Sequence, residues 1–288
     1  MANLKEIRNR ISSVSSTMQI TSAMKMVSAA KLKKAQDAIT AMRPYSDKLT
    51  ELLQSLSATL DGDSGSKFAE TRPVKKVLIV AISSNRGLAG AFNSNIVKEC
   101  KQLAEEKYAN QDVSFYTIGK KAGDILVKSH QVVKRNSEIF DDLTFDQVAA
   151  IAEELMTLFT EREYDQIDMV YNSFKNAATQ LVMTEQYLPI QPKVIEGAST
   201  TAQDYIFEPS KEQIVEELIP KALKTQLFKG IRDSVASEHG ARMTAMHKAT
   251  DNATELRDEL KLQYNKARQA SITNEILEIV GGAEALNG

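Results

Sequence analysis

The chain has 288 residues, 36 Lys/Arg against 38 Asp/Glu, and 42% apolar content, enough to build the core of one large or two ordinary domains. A net charge of −2 lacks the basic surplus that phosphate contacts need, which sets aside a dedicated nucleic-acid binder. No tryptophan, 6% aromatics, 12 glycines and 6 prolines suit long helices better than a β-rich enzyme, and the lone Cys100 excludes an internal disulfide or a multi-cysteine metal site.

The average conceals an asymmetry. Residues 1–48 carry nine Lys/Arg against three Asp/Glu, residues 49–210 carry 16 against 23, and residues 211–288 carry 11 against 12. The basic first arm implies either an acidic partner surface or lysines solvated on the back of a helix. The N-terminus is charged from Lys5 onward, without the apolar segment of a signal peptide, and the longest apolar run, Val77 to Ile82, is far too short to span a bilayer. A soluble chain in a reducing compartment is expected.

Residues 1–60 read as one helix. Alternating steps of four and three from Ile7 pass through Ile11, Val14, Met18, Thr21, Lys25, Ser28, Leu32, Ala35, Ile39, Met42, Ser46, Leu49, Leu53, Leu56 and Leu60, twelve of the sixteen being apolar. That is the 3.5-residue period of a coiled-coil seam, on a helix of roughly 80 Å that needs a partner. Between Met18 and Ala30, the residues Ile20, Ala23, Met24, Met26, Val27, Ala29 and Ala30 add apolar groups off the seam. A helix apolar nearly all round is usually covered on more than one side; the alternative is loose patterning with Met and Ala as indifferent helix formers. Pro44 predicts a kink, and Asp61 to Ser66 a polar loop that ends the helix.

The period changes at about Pro73. Strands are expected over 77–82, 113–118, 131–135, 167–174 and 179–190, and helices over 93–107, 121–128 and 145–162. The alternation predicts a mostly parallel sheet with an antiparallel strand at one edge. The turn Ser84 to Gly90 follows a strand and precedes a helix like a phosphate-cradling loop, yet lacks G-x-G-x-x-G; a structural turn, with Arg86 as a ligand or interface residue, is the better reading. His130, His239 and His247 lack metal spacing, Glu105-Glu106 and Asp141-Asp142 read as surface charges, and no nucleophile motif occurs, so no catalytic site, cofactor or metal is expected.

Pro189 and Pro192 stop the last strand. A second helical region opens at Ser210-Lys211-Glu212, with Pro220 marking a kink or a fresh first turn. Its seam is read through Met246, Ala249, Ala253, Leu256, Leu260, Gln263, Ala267, Ala270, Asn274 and Leu277 on a helix of about 100 Å. Ile272, Ile276, Leu277, Ile279, Val280, Ala283 and Leu286 then crowd an apolar tip that calls for a buried socket. The expected fold class is α/β: a long antiparallel two-helix coiled coil from the chain ends, with an inserted Rossmann-like α/β domain of about five strands. The boundaries are 1–60, 73–195 and 208–288.

Three blocks carry a resemblance. Ile7-Arg8-Asn9-Arg10-Ile11 with Ile20 to Val27, then Asn85 to Asn93, and above all Tyr264-Asn265-Lys266-Ala267-Arg268-Gln269-Ala270-Ser271-Ile272-Thr273-Asn274-Glu275, running on through Glu278 to Ala283, resemble the gamma subunits of F-type ATP synthases. The resemblance implies a rotor shaft without a catalytic site of its own. Its partners would be the alpha and beta subunits, the epsilon subunit and a membrane ring of c subunits. It would sit peripherally on the cytoplasmic face of a bacterial plasma membrane, and ATP chemistry coupled to proton flow would take place on beta. It puts Met24 and Lys25 near an acidic loop of beta. Arg242, Arg268, Gln269, Thr273, Glu275 and Glu278 match ring-contacting positions, and Tyr205 and Glu208 match the foot near the c ring. Ala89 stands where many relatives carry Cys, and no segment resembling the plastid thiol-regulatory insertion occurs, which points to a bacterial type without thiol control. The rival readings are a nucleotide- or cofactor-binding α/β enzyme with coiled-coil arms, and a free-standing coiled-coil scaffold.

Overall fold

The computed structural model describes residues 4–57, 67–190 and 211–287. Two helices flank a five-stranded sheet. Helix α1 (Leu4–Ser57) lacks glycine and is rich in Ala, Met, Leu, Lys and Gln, all good helix formers. Its hydroxyls bond back along the helix, as in Ser15 to the Ile11 carbonyl and Ser28 to the Met24 carbonyl, both at 2.7 Å. Every expected seam residue from Ile7 to Leu49 is buried or half-buried, and the helix runs through Pro44 unbroken. The predicted loop over 61–66 and the link over 191–209 lie outside the described residues.

The central domain comprises β1 (Lys76–Ile82), α2 (Phe92–Gln102), β2 (Asp112–Ile118), α3 (Lys120–Leu126), β3 (Gln131–Asn136), α4 (Phe145–Thr160), β4 (Gln166–Phe174) and β5 (Gln180–Leu188). The strand order is β3-β2-β1-β4-β5. Only the edge pair β4–β5 is antiparallel, as the sequence pattern led us to expect. The centre of the sheet explains the uninterrupted apolar run of β1, because a parallel strand covered on both faces has no polar side. Val77, Ile79 and Ala81 pack with Ile96, Val97 and Cys100 of α2 and with Ala122 and Leu126 of α3. Leu78, Val80 and Ile82 face the opposite core, with Val148, Ile151, Leu155 and Phe159 of α4. Thr144 caps α4, its side chain accepting from the Gln147 amide at 3.4 Å.

Helix α5 (Lys211–Asn287) is continuous through Pro220. Its first part completes the α4-side core with Ile219, Leu223, Leu227 and Ile231. Two helical glycines fit its close approach to the sheet. A Cβ on Gly230 would lie 3.1 Å from the Met169 thioether, and one on Gly240 would lie 3.2 Å from the Ala177 backbone.

By contact density the chain forms two units, Met1–Ser28 with Met243–Gly288, and Ala29–Arg242. In the first unit α1 and α5 run antiparallel. Arg8 donates to the Tyr264 hydroxyl at 2.6 Å, Arg257 to the Met18 sulfur at 3.3 Å, and Thr250 to the Thr21 hydroxyl at 2.8 Å. These contacts correct the expected α5 seam. Met246, Ala253, Leu260 and Ala267 do face inward, but the positions between them are Thr250, Arg257, Tyr264 and Ser271, while Leu256, Gln263 and Ala270 are exposed. The reading preferred apolar residues, whereas the polar ones reach the seam because each of the first three finds a polar or polarisable partner on α1. Asn274 and Leu277 are exposed as well. With Tyr264 opposite Arg8, about the last twenty residues of α5, roughly 30 Å, extend past the described start of α1.

Candidate functional site

Three places hold the residues singled out by sequence. The first is the loop after β1. The Ser84 amide donates to Asn93 Oδ1 at 3.0 Å and its hydroxyl to the Arg86 carbonyl at 2.7 Å, while Asn85 donates to the Ser137 carbonyl at 2.7 Å and accepts from the Lys120 amide at 3.1 Å. The loop's own side chains therefore consume much of the hydrogen bonding that a phosphate would need. Leu88 adopts a left-handed φ of 63° with its side chain 66% exposed.

The strand order reverses between β1 and β4, and in such sheets the crevice at the carboxyl ends of those strands is the usual ligand site. Here α5 occupies it. The Ser237 hydroxyl donates to the Asn172 carbonyl of β4 at 3.0 Å, Ala241 joins Ala89 and Phe92 in a small apolar cluster, and Arg242 donates to the Gly87 carbonyl and to Glu238. Arg242, expected from the resemblance among the ring contacts, is 9% exposed and turned into this crevice.

The histidines are dispersed. His130 meets Phe115 edge-on at 5.1 Å, and His247 lies 3.2 Å from Asp251 on the exposed face of α5. Burial, helped by the positive charges of Lys31 and Arg242, pulls the pKa of His239 down to about 4. Glu105, Glu106, Asp141 and Asp142 are exposed. A fully buried carboxylate went unnoticed in the sequence: Asp168 on β4 accepts from Tyr108 at 2.6 Å, Gln166 at 2.8 Å and Lys107 at 3.1 Å. Tyr108 and Lys107 reach it because the end of α2 widens into a π turn over Leu103–Lys107.

The second place is the middle of the first unit. Met24 and Lys25 are half-buried on α1, and Ile20, Met26 and Val27 around them are 60%, 65% and 57% exposed. The third is the far end of α5, where Arg268, Gln269, Thr273, Glu275 and Glu278 are exposed beside Ile272, Ile276, Leu277, Ile279 and Val280. Among the described residues Lys25, Arg268, Gln269 and Glu278 have no side-chain partner, while Glu275 faces Ser271 at 3.5 Å. Tyr205 and Glu208 lie outside the described residues.

An antiparallel pair of terminal helices, with an α/β domain inserted between them and apolar surface left open along the helices, defines a coiled-coil protein built for contact with other chains. The family model described as ATP synthase matches residues 3–286. The gamma chains of ATP synthase from Christiangramia forsetii and Flavobacterium psychrophilum are each 70% identical over 288 residues, covering all of both chains. A chain from the Euglena gracilis mitochondrial ATP synthase, OSCP/F1/c-ring, in rotational state 3, superposes with a TM-score of 0.71 at 21% identity, over 98% of this chain and 94% of that one. The chain belongs to the ATP synthase gamma chain family.

Proposed function

We propose that this chain transmits torque between a membrane c ring and a catalytic ring of alpha and beta subunits, with an epsilon subunit beside it, and so couples proton flow to ATP synthesis. The apolar end of α5 carries the reading: five large aliphatic side chains from Ile272 to Val280 are 48% to 71% exposed at a helix end with no described partner, a surface that water alone would not favour. A sleeve of other subunits would cover it, and would equally cover Ile20, Met26 and Val27.

The mechanism follows from asymmetry. A two-helix shaft inside a threefold ring touches each beta subunit differently, so each step of rotation changes which nucleotide state is favoured. Lys25, next to Met24, offers an unpaired cation to an acidic loop of beta; Arg268, Gln269, Thr273, Glu275 and Glu278 supply polar contacts around an apolar bearing. Tyr205 and Glu208 would serve the foot near the c ring. In this reading 1–60 and 208–288 form the shaft, 73–195 forms the foot domain, and the chain regulates the turnover of its partners without a catalytic site of its own. It would be peripheral on the cytoplasmic face of a bacterial plasma membrane; among the described residues no helix is long and apolar enough to cross one.

The purified complex should contain one copy of this chain with alpha and beta subunits. Lys25→Glu should lower ATP-driven proton pumping per ATP hydrolysed in reconstituted vesicles. Pumping equal to wild type would sink the Lys25 assignment. A soluble homodimer without other subunits would sink the rotor reading. The rival nucleotide-binding enzyme would show tight nucleotide binding by calorimetry on the purified chain, which the filled crevice argues against.

A further inference from the structure

We infer that Arg242 is a positioning residue, locking α5 to the loop after β1 so that the α/β domain and the helix turn together, rather than a contact to the surrounding ring. The inference rests on the rotor reading.

Its side chain is 10% exposed, and that of its partner Glu238, one turn earlier on α5, is 14% exposed. One guanidinium nitrogen donates to the Gly87 carbonyl; the other donates to Glu238 and lies 3.5 Å from the Arg86 carbonyl. A planar, forked donor is what such a bridge requires, since a lysine would offer a point charge on a flexible stem. Arg242 pairs directly with the Glu238 carboxylate, and the charges of Lys31 on α1 and Arg86 on the loop also favour its ionised form. Burial raises the Glu238 pKa, and the hydrogen bond and charge of Arg242 oppose that rise most, ahead of Lys31 and Arg86.

The position along α5 fits an anchor. Arg242 is the last α5 residue of the unit that contains the sheet, and from Met243 the helix belongs to the unit it shares with the start of α1. Behind it, Ser237 is tied to Asn172 and Gly240 lies against Ala177, so the helix is gripped over nearly two turns just before it leaves the sheet. The loop it grips holds the left-handed Leu88, a conformation that persists only where the surroundings impose it. Three of the five guanidinium donors are committed inside the crevice, and at 10% exposure the side chain offers little surface to a ring outside.

The test is Arg242→Leu in the reconstituted complex, with two readouts: proton pumping per ATP hydrolysed, and amide exchange over residues 84–90 and 236–242. Losing charge-assisted bonds to two carbonyls should speed exchange there by about tenfold or more. Pumping should fall with it while hydrolysis persists. A fall in pumping with unchanged exchange would place Arg242 at the ring and overturn the inference. Faster exchange with full pumping, or no change in either, would overturn it too. Should Arg242→Leu fail to assemble, Arg242→Lys keeps the buried charge opposite Glu238 while losing the fork, and the same four outcomes apply. The rotor reading fails separately, if the wild-type complex lacks this chain or does not pump with it.

Discussion

The glycines of α5 allow one substitution to be tried in opposite environments. Glycine in a helix interior costs about 1 kcal/mol relative to alanine, so Gly→Ala should stabilise wherever a methyl group fits. At Gly281 nothing lies within 4 Å of the added Cβ. Gly281→Ala should therefore gain nearly the full increment and slow local amide exchange about fivefold. At Gly240 the new carbon would stand 3.2 Å from both the Cα and the carbonyl oxygen of Ala177. That backbone has little room to yield. It belongs to a turn in which Asn176 Oδ1 accepts from the Ala178 and Thr179 amides at 3.0 and 2.7 Å. Overpacking of this kind costs about 1–3 kcal/mol, which cancels or exceeds the helix gain. Exchange over residues 236–242 should be unchanged or as much as thirtyfold faster for Gly240→Ala. Hydrogen exchange followed by mass spectrometry resolves both segments in one experiment. If Gly240→Ala slows exchange as Gly281→Ala does, α5 does not approach the Asn176 turn as closely as described, and the grip before Arg242 loses its basis.

Two further outcomes follow from buried polar groups. His239 has its pKa lowered to about 4, against 6.5 in an exposed state, so the unfolded chain binds the proton more readily and stability falls as pH drops through that window. Denaturation midpoints should decline by up to about 2 kcal/mol of stability between pH 7 and 4 from this group, allowing for its partial solvent access, and His239→Gln should flatten that component. At the seam, the Thr250 hydroxyl has the Met246 carbonyl at 2.8 Å as an alternative acceptor to Thr21, and the Thr21 hydroxyl has the Met18 carbonyl at 3.1 Å, so each single proton keeps an acceptor whichever bond it makes. Thr250→Val should thus cost less than about 1 kcal/mol, and the pair Thr21→Val with Thr250→Val should cost no more than the sum; a double-mutant cycle on thermal unfolding measures the coupling.

Regular elements were legible because burial here follows simple periods. The apolar run of β1 marked a strand of the expected, mostly parallel sheet, and the α1 seam could be stepped off from Ile7 without error as far as Leu49. The α5 seam was half right for an instructive reason. Leu256 looks like a seam residue yet is exposed, and the seam runs through Thr250, Arg257 and Tyr264, whose polar ends find Thr21, Met18 and Arg8 more than two hundred residues away in sequence. Asp168 was hidden similarly. Within an apolar strand it reads as a minor exception, and only the fold brings Tyr108 and Lys107 to it. Long-range polar pairs leave no periodic trace in a single sequence, and the Arg242–Gly87 bond is another of them. Resemblance suggested where Arg242 belongs in a family; it could not show which way the side chain points.

The crevice connects these observations. In a doubly wound sheet the reversal of strand order between β1 and β4 leaves a hollow at the carboxyl ends, and ligands exploit it because backbone groups there lack partners. In this chain the partners come from α5: Ser237 for Asn172, Ala241 for Ala89 and Phe92, Arg242 for Gly87. A nucleotide would bring affinity to such a hollow and then leave. A covalently continuous helix brings a permanent joint. The same geometry that elsewhere exchanges small molecules here ties a sheet to a helix of 77 residues, and a joint of that kind suits the proposed role of passing rotation without slipping.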